Sequence, residues 1–244
     1  MAMNRLYLII LILVTPYIIS AQTFISETND STTVIEYNDG KQWVYKNIDG
    51  LTIGMTNEEI KDDYGKYYQI GIFICNNRDS TILFNPENVF ADLRANNGKT
   101  KPLEVYTHDK LQKKIKKAQR WAMALYGFAA GLNAASAGYS TTYTTSYTNG
   151  YAYTSINRTY NANAAYQANM ATSMQMHELR KEMENDRIVR KQGYLKLNTI
   201  HPGDAIAGYM NIKHKKGKKL LVLFNVGESE FRYLWNVDKK KREK

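Results

Sequence analysis

Met170, Met174, Met176 and His177 come nearest, among the residues of this chain, to a constellation that could do chemistry. Soft thioethers beside an imidazole suit Cu(I). On an ideal helix Met170 and Met174 share a face, but Met176 points about 200° away from Met174. Methionines so placed commonly fill gaps between helices. The four histidines, His108, His177, His201 and His214, fall in a helix start, a helix, a turn and a lysine-rich hairpin. No Gly-x-Ser-x-Gly elbow, His-Glu-x-x-His helix or phosphate loop occurs in the sequence. The paired acids Glu58-Glu59 and Asp62-Asp63 are adjacent, as on a solvated short helix. Cys75 is the single cysteine, which excludes an intrachain disulfide and any multi-cysteine zinc or iron-sulfur site. The expectation is a protein that is not an enzyme and holds no cofactor, with Met-rich Cu(I) binding as an alternative.

The elements around these residues say more. The first 21 residues have the layout of a secretory signal: Arg5 supplies a positive charge, Leu6 to Ile19 is almost wholly apolar, and Ser20-Ala21 offers a small residue before Gln22. The apolar run is shorter than the roughly 20 residues a spanning helix needs. Export to the periplasm or cell envelope of a Gram-negative bacterium is therefore expected. Of 244 residues, 43% are hydrophobic and 23% charged, so most of the chain should fold.

The net charge of +10 is localised. Lys110, Lys113, Lys114, Lys116, Lys117 and Arg120 form one cluster, residues 213–219 a second and residues 239–244 a third. Together they hold 16 of the 33 basic residues, and the rest of the chain is net acidic. Export favours a membrane surface or an anionic envelope polymer over nucleic acid as the partner of such patches.

The flanks read as β-structure. Asn38-Asp39-Gly40 is a tight turn between Thr32–Tyr37 and Lys41–Lys46. Thr56-Asn57-Glu58-Glu59 has the form of a capping box, which predicts a short helix. Tyr68, Ile70, Ile72 and Ile74 alternate as in a central strand, Asn85-Pro86 marks a turn before Val89–Arg94, and Leu103–Tyr106 is another short strand. Tyr194–Thr199, Ala205–Lys213, Leu220–Val226 and Glu230–Trp235 complete about eight or nine strands. The expected fold class is α+β: an antiparallel, immunoglobulin-like β-sandwich built discontinuously from residues 22–107 and 192–244.

Residues 108–191 interrupt it as a helical hairpin. Gly127, Gly131, Ala135 and Gly138 recur on one face of the first helix and let another backbone approach. The second helix runs over about Thr159–Lys191. A Tyr/Thr/Ser-rich tip, about residues 139–158, lies between them, with Tyr143, Tyr147, Tyr151 and Tyr153 available for contact. This tip lacks the aliphatic residues for its own core and reads as an unstructured loop. The stretch Trp121–Tyr139 behind its basic cluster also has a juxtamembrane layout. The interaction surface expected from sequence is therefore the small-residue face, these tyrosines and Lys113, Lys114, Lys116 and Lys117. It would serve a homo-oligomer, a membrane surface or an envelope polymer; a soluble ligand-binding sandwich is the alternative.

The ending Ser20-Ala21-Gln22, the run Gly193-Tyr194-Leu195-x-x-Asn198-Thr199-x-x-Pro202-Gly203 with Gly208, and Tyr64-Gly65-Lys66-Tyr67-Tyr68 resemble secreted β-sandwich proteins of Bacteroidota. The likeness covers the flanks and implies the sandwich fold and export, with no activity attached.

Overall fold

The computed structural model describes residues 22–25, 33–38, 40–95, 97–137, 139–148 and 151–238. The proposed signal segment, residue Asp39 of the first turn, Gly138 and the C-terminal basic cluster lie outside the described residues. In chain order the elements are β1 (Thr23–Phe24), β2 (Thr33–Asn38), β3 (Lys41–Ile48), β4 (Leu51–Asp62), β5 (Gly65–Asn76) and β6 (Ile82–Phe84). A 3-10 turn at Pro86–Asn88 precedes β7 (Val89–Arg94), β8 (Thr100–Leu103) and β9 (Val105–Tyr106). Then come α1 (His108–Ala137), β10 (Tyr139–Thr148), β11 (Tyr151–Tyr160) and α2 (Ala162–Lys191). The chain closes with β12 (Asn198–Ile200), β13 (Ala205–Lys213), β14 (Lys219–Val226) and β15 (Ser229–Asn236).

The flanking strands form a six-stranded antiparallel sheet, β2-β3-β4-β5-β13-β9, and a five-stranded one, β1-β15-β14-β7-β8, with β12 and β6 as a small separate pair. Alternation explains the pairing of layers. Leu51, Ile53 and Met55 on β4, Ile70, Ile72 and Ile74 on β5, and Leu220, Val222 and Phe224 on β14 are all fully buried in one cluster. Residues far apart in sequence thus share one interior, and the Tyr233 hydroxyl crosses it to donate to the Ile53 carbonyl at 2.6 Å.

Most strands fall where the alternation places them, and three differences have physical causes. Thr56–Glu59 do not begin a helix; they continue β4, with Thr56 opposite Gly71 and Glu59 opposite Tyr68. Twelve residues of ladder with β5 outweigh a local capping signal, because the buried alternation of β4 fixes its register. Tyr194–Thr199 is not one strand either. Gly193, Tyr194 and Leu195 run beside β13 as an isolated parallel bridge, with Tyr209 N donating to Gly193 O at 2.9 Å and Leu195 N to Tyr209 O at 3.1 Å. Gly208 makes this approach feasible: a Cβ there would lie 2.4 Å from the Gly193 carbonyl oxygen. Finally, the Tyr/Thr/Ser segment is not a loop. It forms β10 and β11, ten residues each, paired end to end from Tyr139↔Tyr160 to Thr148↔Tyr151. Threonine and tyrosine fit a pleated ladder well, and this preference decides a segment that has no core of its own.

The insertion is otherwise the helical hairpin expected. Asn161 caps α2, its side chain accepting from Ala164 N at 3.1 Å. Each helix has 30 residues, about 45 Å of rise at 1.5 Å per residue.

Candidate interaction arm

The arm is built from its root outward. Leu111 and Ile115 of α1 are buried in the sandwich core. Around them a polar network fixes both helices. Tyr64, in the turn between β4 and β5, donates its hydroxyl to Asp186 at 2.7 Å and accepts from Gln119 Nε2 at 3.0 Å. Arg190 bridges Asp186 at 2.8 Å and Asp62 at 2.5 Å, and its guanidinium lies 4.8 Å from the Tyr64 ring centre. Gln119 also donates to the Met183 carbonyl at 2.7 Å, tying α1 to α2. Tyr209 of β13 donates to the Arg190 carbonyl at 2.9 Å, while Tyr194 donates to the Tyr106 carbonyl at 2.5 Å.

Lys114 belongs to this root and not to an outward basic face. Its Nζ donates to Tyr67 Oη at 2.6 Å and sits 4.3 Å and 4.9 Å from the Tyr67 and Tyr106 ring centres. Burial lowers its pKa, and nearby Lys213 adds to this against Asp62 and Glu104. Burial, then Glu104, pushes the Tyr106 phenol up to about 12. Lys113, Lys116 and Lys117 are exposed on α1, as the charge pattern implies.

Higher up, the two helices face one another through Gly127. Met176 of α2 fills the space a side chain there would take, with a Cβ falling 3.5 Å from its methyl group. Tyr126 donates to Gln175 Oε1 at 2.8 Å at the same level. The small-residue position at Gly127 thus serves pairing within the arm. Gly131 and Ala135 lie further along α1. Met176 is accordingly turned away from Met170, Met174 and His177, which line an open groove of about 650 Å³ with Tyr166, Asn169 and Ser173.

The surface that remains uncovered is different from the one read in the sequence. Trp121, Leu125 and Phe128, spaced by four and three, form an exposed strip on α1, with Trp121 68% and Phe128 70% accessible. Tyr166, Met170 and Met174, each four apart, form a second exposed strip on α2. The register set by Tyr126 with Gln175 puts Phe128 and Met174 at about the same height. These strips were legible as helical spacing, but an apolar strip in sequence does not say whether it faces the neighbouring helix or solvent.

At the end of the arm, pairing puts Tyr139, Tyr143, Tyr147, Ala152, Ile156 and Tyr160 on one face of the β10–β11 ladder. Tyr143 is 66% and Ile156 67% accessible. Tyr151 and Tyr153 fall at register positions on the other face, beside Thr148 and Ser146. Arg158 stacks its guanidinium on Tyr139 at 4.3 Å, at the end nearest the helices. Neither strand pairs with another described strand.

A second concavity lies on the sandwich, a cleft of about 630 Å³ bordered by Glu59, Lys66, Tyr68, His214 and Lys216. Within it Glu59 pairs with Lys66, and His214 Nε2 is 3.5 Å from Glu59 Oε2. The Tyr68 ring lies 4.6 Å from the His214 ring and its hydroxyl donates to Lys215 O at 2.7 Å. This is the place a ligand-binding sandwich would use. Among the described residues, no group of three or more His, Cys, Asp and Glu could hold a metal ion, and no helix is long and apolar enough to cross a membrane. Of the Trp121–Tyr139 stretch, the residues up to Ala137 belong to α1, and Tyr139 opens β10. No protein-family model, curated protein or solved structure matches the chain.

Proposed function

We propose that this chain is an exported envelope protein that assembles with copies of itself through its helical arm. One observation carries the reading: both helices of a firmly rooted arm leave a strip of large apolar side chains in solvent. Trp121, Leu125 and Phe128 on α1 and Tyr166, Met170 and Met174 on α2 are all exposed, on the outer side of each helix, and large aromatic and methionine side chains of this kind anchor protein interfaces. A second copy is the occupant that fits, since it brings an equally long, equally apolar rod. The exposed Lys113, Lys116 and Lys117 near the root then flank the interface and add contact with an anionic surface of the envelope. The signal-like residues 1–21 support the exported location.

The test is covalent capture in solution. On a Cys75→Ser background, a mixture of Leu125→Cys and Met170→Cys chains is treated with a short bis-maleimide. Cross-linked dimers are expected in high yield. Replacing either partner with Glu182→Cys, off the strip, should give none; equal yields from all positions would reject the interface.

A further inference from the structure

His177 stands apart from the other three histidines. His108 Nδ1 lies 3.0 Å from Asp109 Oδ1, His201 Nδ1 is 3.3 Å from the Thr81 hydroxyl, and His214 Nε2 faces Glu59 at 3.5 Å. The His177 side chain is exposed and has no such hydrogen-bond or ion-pair partner among the described residues. Its ring nitrogens are open to a ligand.

What borders it is sulfur. Met174 and Met170 precede His177 by three and seven residues, so at about 100° per residue the three side chains leave α2 within about 60° of one another. They line one groove. An ion above Met174 would stand about 6 Å of rise from Met170 and about 5 Å from His177. Methionine is unbranched with three rotatable bonds, so both thioethers can swing toward the imidazole. Met176 does not join them, because it packs at Gly127 on the other side of the helix. The donor set is therefore two thioethers and one imidazole.

That set selects the ion. Thioethers are soft, neutral donors that favour Cu(I) over hard cations, and imidazole suits copper as well. A zinc site is built from thiolate, imidazole and carboxylate, and no group of three or more His, Cys, Asp and Glu suited to a metal occurs among the described residues. Glu178 also borders the groove and places a negative charge beside a bound cation.

We infer that Met170, Met174 and His177 form a surface site for one Cu(I) ion, held by two sulfurs and one ring nitrogen in the open groove of α2. The site is complete within one helix of one chain. It does not rest on the self-association proposed above, although the two share Met170 and Met174.

The experiment titrates Cu(I), kept reduced by ascorbate under nitrogen, into residues 22–244 in competition with bicinchoninate. A Cys75→Ser background removes the free thiol as a rival ligand. One ion per chain is expected, with X-ray absorption showing sulfur and nitrogen neighbours. Met174→Leu and His177→Gln should each weaken binding about 10-fold or more, whereas Met176→Leu should leave it unchanged. The titration is repeated on Trp121→Glu, which disrupts the α1 strip away from the groove, so that a second copy cannot mask the site. No binding by either chain, binding that Met174→Leu leaves unaltered, or copper with only nitrogen and oxygen neighbours would overturn the site. Light scattering on the metal-free protein reads self-association separately, so either proposal can fail while the other stands.

Discussion

Replacing Phe128 and Met174 together by glutamate is expected to leave the protein folded and to weaken its self-association by roughly 100-fold or more. Both side chains are exposed in the single chain, so the helices lose little when they become polar. In an assembly each would place a carboxylate in a water-excluded contact, and disrupted hot spots at interface centres commonly cost 2 kcal/mol or more apiece. Light scattering over a dilution series reads the change, with far-ultraviolet circular dichroism reporting retained helix. Association unaltered in the double variant would place the interface elsewhere, with the cleft beside His214 the next surface to examine.

Tyr233→Ala is the second large effect, and it tests the closure of the sandwich. Tyr233 is fully buried, its ring meets Phe224 edge-on at 5.6 Å, and its hydroxyl reaches from β15 to the Ile53 carbonyl on β4. Burial drives its phenol well above the ordinary tyrosine pKa, so it remains a hydrogen-bond donor across the working range. Truncation leaves a cavity and an unsatisfied carbonyl, together about 4 kcal/mol. For a domain of this size that lowers Tm by about 10 °C. Tyr233→Phe keeps the volume and loses only the hydrogen bond, about 1 kcal/mol. If the two variants unfold alike, the cross-sheet contact does not hold the layers together.

Much of the architecture was readable because burial on one face imposes a visible period. Tyr68, Ile70, Ile72 and Ile74 specify β5, β2 and β3 pair up to Asn38 and Lys41 on either side of the first turn, and Asn85-Pro86 separates β6 from β7. Thirteen flanking strands are described where eight or nine were expected, since pieces such as Thr23–Phe24 and Ile82–Phe84 are too short to carry a period and exist only through their partners. Thr56–Glu59 show the reverse case, a genuine local helix signal overruled by a long-range ladder. The arm's interaction surface was harder to read. Spacing identifies a strip on α1 but gives no rotation about the helix axis, and it is the contacts of Gly127 with Met176, of Gln119 with Met183 and of Tyr126 with Gln175 that show which side turns inward. Lys114 illustrates the same limit: five lysines in a row of positions look alike until Tyr67 and Tyr106 select one of them. The tip read as an unstructured loop because it lacks a core of its own, whereas its threonines and tyrosines favour the pleated ladder that it forms.

The central claim is that the arm brings copies of this chain together, and the mass of residues 22–244 in solution, measured by size exclusion with light scattering, addresses it most directly. A mass that is a whole multiple of the single chain, falling toward one chain on dilution, is the expected result. A single-chain mass at every concentration would contradict it.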